Sequence, residues 1–258
     1  MTDIFSGAPI LEVENLQTHL DTKMGLVKAV DGVSFSLHQG ETLGIVGESG
    51  SGKSMTALSI LRLAPRPAAR IVGGRVLLNG EDLLRYGAEQ MRRVRGRRIS
   101  MVLQDPQTSL NPVYTVGGQI TEAIAMHRKV SRSNLLEHTV DALRKVRVAA
   151  PEQRVHEHPH QLSGGMKQRV VGAIANSCEP QILIADEPTT ALDATIQAQY
   201  LRLLKDIQRE SGLSIIFITH DFGIVATMCD RVAVMYGGRI VEHGRKRWGR
   251  PTYLIYRE

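Results

Sequence analysis

Gly47-Glu48-Ser49-Gly50-Ser51-Gly52-Lys53-Ser54 decides how this chain is read. The stretch satisfies G-x-x-x-x-G-K-[ST] at every fixed position. It follows the short apolar run Thr42–Val46 and opens a segment of helical spacing over 54–63. A strand on one side and a helix on the other is the context that this phosphate-binding loop requires. Its glycines let the backbone curl so that several N–H groups converge on one anion. The helix that follows adds the positive end of its dipole. Lys53 would set a full charge between β- and γ-phosphates, and Ser54 would place its hydroxyl on Mg²⁺. A glycine-rich turn that binds nothing would not need the strand and helix around it.

A second stretch completes that reading. Ile182-Leu183-Ile184-Ala185-Asp186-Glu187 is an apolar run ending in two acids. A strand buried on both faces runs apolar without alternation, and charge appears at its C-terminal edge, where α/β sheets bind ligands. Asp186 is placed to hold the Mg²⁺ shell. Glu187 is placed to polarise an attacking water as general base. Alone, the two acids would read as a strand end in solvent; beside a complete phosphate loop they read as its partner.

Outward from these stretches the pattern alternates. Segments 11–20 and 27–37 carry the alternation of strands, and 73–78 reads as another, ending in an Asn79-Gly80 turn. Segment 119–148 is mainly helical with a break near 130–133, 151–159 is polar and irregular, and 163–178 is helical again. Strand 181–185, helix 194–210, strand Ser214–Thr219, helix Phe222–Met228 and strand Arg231–Tyr236 follow, and a Gly237-Gly238 turn leads into 239–242. The expectation is a mixed α/β core with a helical part at roughly 84–161.

Composition bounds the rest. Of 258 residues 42% are apolar, enough for a sizeable core, and nothing suggests disorder. Apolar runs fall far short of the about 20 residues that cross a bilayer. No charged-then-apolar leader opens the sequence, so the protein is expected in the cytoplasm, with any membrane role passing through a partner. Cys178 and Cys229 have no C-x-x-C spacing and read as free buried thiols. The formal charge of +6 fits nucleotide, nucleic acid or anionic lipid. The arginines over 92–98 lack interleaved aromatic residues that would stack bases, so they read as a solvated face. His156, His158 and His160 alternate, but no carboxylate or cysteine completes a metal set.

Leu162-Ser163-Gly164-Gly165-Met166-Lys167-Gln168-Arg169 names a family. It resembles the ABC signature, LSGGQ followed by a basic-Gln-Arg stretch, with Met166 where the last Gln is usual. Gln104 after strand 99–103 resembles the Q-loop, Ala191-Leu192-Asp193 the D-loop, and His220 the switch histidine, all in the family's order. The fold this implies is α/β: a P-loop NTPase core of ABC type with an antiparallel β subdomain and an inserted α-helical subdomain, in one ABC ATPase domain. Gln104-Asp105-Pro106-Gln107-Thr108-Ser109-Leu110-Asn111-Pro112 also looks like the Q-loop of ATPases that drive di- and oligopeptide importers and their nickel-importing relatives.

The resemblance implies an ATPase that binds ATP and Mg²⁺ and powers solute uptake, with peptides as the expected solute. Glu187, His220 and Gln104 would be catalytic. Gly47, Glu48, Ser49, Gly50, Ser51, Gly52, Lys53 and Ser54 would hold the nucleotide. Ser54, Asp186 and Gln104 would hold the metal. Ser163, Gly164 and Gly165 would face the γ-phosphate of a partner subunit, and Asp193 would bridge the two subunits. Adenine would stack near His19 and Leu20. The implied partners are two transmembrane permease subunits, a second ABC ATPase subunit and, indirectly, an external solute-binding protein. The expected place is the cytoplasmic face of the cell (inner) membrane, peripheral to it, with no nucleic acid bound. Importer relatives continue past Gly244, whereas here a basic tail, 245–258, follows. Two alternatives stand beside this reading: a non-transport or regulatory ABC ATPase, or, prompted by that tail, a subunit that binds ATP without efficient turnover.

Overall fold

In the computed structural model, which describes residues 7–245, two sheets share one helix. The chain opens with strands β1 (Leu11–Thr22), β2 (Gly25–Leu37) and β3 (Thr42–Val46), then helix α1 (Lys53–Ile60) and strands β4 (Ala69–Leu78) and β5 (Glu81–Asp82). Helix α2 (Ala88–Val94) leads to β6 (Ile99–Val102). Five helices follow without a strand between them: α3 (Pro106–Ser109), α4 (Val116–His127), α5 (Leu135–Lys145), α6 (Pro151–Arg154) and α7 (Gly164–Asn176). The chain then alternates through β7 (Ile182–Asp186), α8 (Ala194–Ser211), β8 (Ser214–Thr219), α9 (Phe222–Met228), β9 (Arg231–Tyr236) and β10 (Arg239–Arg245). The basic tail singled out in the sequence lies, from residue 246 on, outside the described residues.

The smaller sheet has the order β2-β1-β4-β5 and is antiparallel. Its alternation is broken by a bulge in β1. In β1 the buried positions run Leu11 and Val13, then Leu16 and Thr18. The shift from odd to even occurs at Asn15, whose φ is +47° and whose register slips against both neighbours. A bulge of this kind keeps one face apolar on either side of an extra residue.

The larger sheet has the order β10-β9-β3-β8-β7-β6, parallel from β9 to β6, with β10 antiparallel at the edge. Its central strands β3, β7 and β8 are buried at every position. That requires cover on both faces. Ile182, Ile184, Ile216 and Ile218 pack with α1 and the smaller sheet, while Leu183, Ala185, Ile215 and Phe217 pack with α7 and α8. Gly44 in β3 admits α9 closely, since a Cβ there would lie 2.8 Å from Cys229 Sγ. Both cysteines are buried, and no disulfide joins them.

The strand read at 99–103 is β6, and it falls inside the segment 84–161 assigned to the helical part. β6 pairs in parallel with β7, so α2 and β6 belong to the core that β7 completes. The uninterrupted helices begin only at α3. The irregular stretch at 151–159 contains the short helix α6, started by a proline at its first turn. The break in the long helical segment falls between His127 and Leu135.

Candidate functional site

Four neighbouring strands, β3, β8, β7 and β6, end at the same edge of the larger sheet. The phosphate loop follows β3, His220 follows β8, Asp186 and Glu187 end β7, and Gln104 lies just beyond β6. Residues far apart in the chain therefore meet where parallel strands finish.

The loop is shaped by its surroundings. Gly52 has φ +102°, and a Cβ on it would come within 2.3 Å of the Ala29 carbonyl oxygen. Only glycine fits there. Gly238 N–H donates to Ser51 O at 3.0 Å, and Asp31 N–H donates to Gly238 O at 2.8 Å, so the turn between β9 and β10 ties the loop to β2. Glu48, Ser49 and Gly50 form the exposed crown. Lys53 is only 5% exposed and turns back on the loop. Its Nζ donates to Gly47 O at 2.7 Å and Glu48 O at 2.8 Å. Burial holds its pKa below the usual lysine range, while the charges of Glu187 and Asp186 oppose that shift.

Asp186 is 5% exposed, and its Oδ1 is buried without a hydrogen-bond partner. Burial pushes its pKa up; the Ser54 hydroxyl pulls it back, Glu187 pushes it further up, and Lys53 also pulls it down. A buried carboxylate oxygen with no donor is costly unless something positive meets it. With the Ser54 hydroxyl beside it, this donor set fits a hard divalent cation such as Mg²⁺.

Glu187 is the most constrained residue of the site. Its φ is +45°, a region that non-glycine residues rarely visit and that clusters at functional sites. Its N–H donates to Ile218 O at 2.9 Å, fixing the turn against β8. Gln104 Nε2 donates to Glu187 Oε2 at 3.0 Å, and Thr190 Oγ1 donates to the same oxygen at 3.1 Å. His220 Nδ1 lies 3.2 Å from Oε1. A carboxylate oriented in this way can accept a proton from a water held beside it. Thr190 was not singled out in the sequence; its only sign is a hydroxyl three residues after the acid in Glu187-Pro188-Thr189-Thr190.

The remaining residues form a second group. Ser163 caps α7, with its Oγ accepting from Met166 N–H at 3.4 Å. Around Gly164 a Cβ would meet nothing, so its backbone is open. Gly165 abuts α8, where a Cβ would lie 2.8 Å from Ile196 Cγ2. Asp193 caps α8, its Oδ1 accepting from Thr195 N–H at 3.1 Å and Ile196 N–H at 3.0 Å. The start of α7 thus adjoins α8: the open backbone at Gly164 suits an anion, whereas the first amides of α8 are taken by Asp193. His19 and Leu20 lie half-buried on β1, with His19 opposite Lys28 and Arg70. No described helix is long and apolar enough to cross a membrane.

Comparison with known proteins gives consistent relatives. The family model described as "ABC transporter" matches residues 30–190. The chain is 54% identical over 246 residues to the probable peptide ABC transporter ATP-binding protein y4tR of Sinorhizobium fredii, covering 95% of this chain and 73% of that protein. It is 51% identical over 238 residues to the dipeptide transport ATP-binding protein DppD of Bacillus subtilis, covering 92% of this chain and 71% of the other. Among solved structures it resembles the ATP-binding cassette MJ0796, a dimer in a post-hydrolysis state bound to ADP and Pi. That match has a TM-score of 0.80 at 25% identity and covers 92% of this chain and 99% of the cassette.

Proposed function

The chain belongs to the ABC transporter family, and from that premise we propose that it is the ATP-hydrolysing subunit of an importer that takes up peptide-like solutes. The observation that carries the reading is the convergence of Gln104, Thr190 and His220 on one carboxylate, Glu187, beside Lys53 and Asp186. The peptide-transport names of its relatives support the solute class.

In this reading the loop amides of 47–54 wrap the β- and γ-phosphates. Lys53 leaves the carbonyls of Gly47 and Glu48 and turns to the phosphates, exchanging two neutral acceptors for a charged one. Asp186, Ser54 and Gln104 would hold Mg²⁺. The ion neutralises phosphate charge when bound. Glu187 accepts the proton of the attacking water. His220 keeps Glu187 in place through the contact at Oε1 and reaches the γ-phosphate.

Ser163, Gly164 and Gly165 complete the site of a second copy or a related subunit, arranged head to tail, and Asp193 bridges the pair. The dimeric state of the cassette it resembles supports this arrangement. ATP then acts as a ligand that favours the closed dimer, and hydrolysis reopens it. The subunit would lie at the cytoplasmic face of the membrane, against two permease subunits served by an external solute-binding protein.

The test is an ATP trap. Glu187→Gln protein with Mg²⁺-ATP should elute as a dimer in gel filtration, and adding Ser163→Arg should return it to monomer without loss of ATP binding. A Glu187→Gln protein that binds ATP and stays monomeric at every concentration would overturn the head-to-tail site.

A further inference from the structure

Helix α1 has the phosphate loop at one end and a different kind of site at the other. Lys53 lies in its first turn, and Arg62 follows its last. Beyond Arg62 opens a cleft of about 730 Å³ that the nucleotide chemistry does not use. Its walls include three arginines, Arg62, Arg66 and Arg70, and the apolar side chains of Ile71, Val72 and Leu84. No carboxylate is among the described residues that line it.

The arginines are unequally engaged. Arg62 Nη1 donates to the Leu83 and Tyr86 carbonyls, which fixes its guanidinium against the 3-10 turn before α2. Arg70 pairs with Asp21 at 3.0 Å, but both side chains are more than half exposed, so the pair contributes little. Arg66 has no hydrogen bond or ion pair among the described residues. Behind the cleft, Arg95 donates to the carbonyls of Leu61 and Arg62. Its pKa is lowered first by burial and then by the charges of Arg62 and Arg66, so these two arginines lie near enough to repel it.

An arginine cluster of this sort favours a phosphate, which a guanidinium grips in a bidentate manner. The apolar wall asks for more than a bare anion. Val72 is 47% exposed and, with Ile71 and Leu84, offers a surface for a hydrocarbon portion.

We propose that this cleft binds a phosphate-bearing amphiphile, its phosphate against Arg66 and Arg70 with Arg62 behind them, and its apolar part against Ile71, Val72 and Leu84. Two sources carry that chemistry: the headgroup of an anionic membrane lipid, or a soluble phosphorylated amphiphile. The inference does not depend on the solute assigned above or on catalysis, because none of these residues belongs to the nucleotide site.

The full chain is tested as wild type, as Arg66→Gln/Arg70→Gln, and as Val72→Asp. Calorimetric titration with monomeric dihexanoyl phosphatidic acid is one arm. Flotation with vesicles of phosphatidylcholine, with and without phosphatidylglycerol, is the other. Each variant is expected to bind at least tenfold more weakly than wild type, with ATP binding and melting temperature unchanged. A loss in the vesicle arm identifies the source as membrane lipid, and a loss confined to the titration identifies it as soluble. Equal binding by wild type and both variants in both arms, or no binding by wild type in either, would overturn the proposal.

Discussion

His220 Nδ1 stands 3.2 Å from Glu187 Oε1, on the carboxylate whose other oxygen receives Gln104 at 3.0 Å and Thr190 at 3.1 Å. Three strands deliver these groups: β8 the histidine, β7 the acid, and β6 the glutamine. The threonine comes from the turn after β7. If His220 and Gln104 act by orienting Glu187, their loss should lower kcat with little change in KM. His220→Ala and Gln104→Ala should each lose about 10²–10⁴-fold in kcat, the range of a general-base contribution. Thr190→Val should lose less, because two partners of Glu187 remain. Steady-state ATPase assays check this, and a rise in KM without a fall in kcat would assign these residues to binding.

Asp186 gives a prediction that separates stability from function. Burial raises its pKa, so the folded protein holds this proton more tightly than the unfolded chain does. Such a carboxylate costs stability above its unfolded pKa, and the cost disappears as pH falls below it. Asp186→Asn should therefore raise the melting temperature of the nucleotide-free protein near neutral pH, and the gain should vanish in acid. The same variant should lose the stabilisation that Mg²⁺-ATP gives over ATP alone. Thermal melts with and without Mg²⁺ across pH test both halves.

Two glycines of one loop should differ in tolerance. Gly52 has φ +102° and a Cβ would lie 2.3 Å from Ala29 O, whereas Gly50 has φ +82° and open space around it. Gly50→Ala should cost about 1 kcal/mol, the penalty of a left-handed conformation alone. Gly52→Ala should cost more, on the order of 2–4 kcal/mol, because backbone must move as well. It should also abolish ATP binding, since the loop is tied to β2 through Gly238. Urea unfolding and nucleotide titration distinguish them.

Tyr200, on α8, offers a test of the packing between α8 and α7. Burial pushes its phenol up to about 12. An acid with a raised pKa contributes stability below its unfolded value, near pH 10, that is lost as pH climbs toward the folded value. Wild type should lose on the order of 2–3 kcal/mol from this group between those limits. Tyr200→Phe should show a shallower alkaline loss in urea unfolding. An identical slope would mean that the phenol is not buried as described.

The sequence displayed the site more openly than it displayed the frame around it. Lys53, Asp186 and Glu187 could be found because glycines, an apolar run and terminal acids each follow from a physical need. Gln104, His220, Ser163 and Asp193 were placed by family resemblance, since a lone glutamine or histidine has no spacing of its own. Thr190 went unnoticed because a hydroxyl in a turn is ordinary there. The strand read at 99–103 is β6, Ile99–Val102, but it shows no alternation, and the helical part drawn at roughly 84–161 took it in. Its place in the larger sheet comes from β7, a neighbour distant in the chain. The bulge at Asn15 was also hidden, because a shift from odd to even buried positions looks like imperfect alternation.

The most direct measurement is Mg²⁺-ATP hydrolysis by the purified chain over a range of protein concentrations, with Glu187→Gln as control. A site completed between two subunits predicts activity that rises faster than linearly with concentration and disappears in the variant while ATP remains bound. Activity strictly proportional to concentration, or unchanged in Glu187→Gln, would contradict a shared site built on that carboxylate.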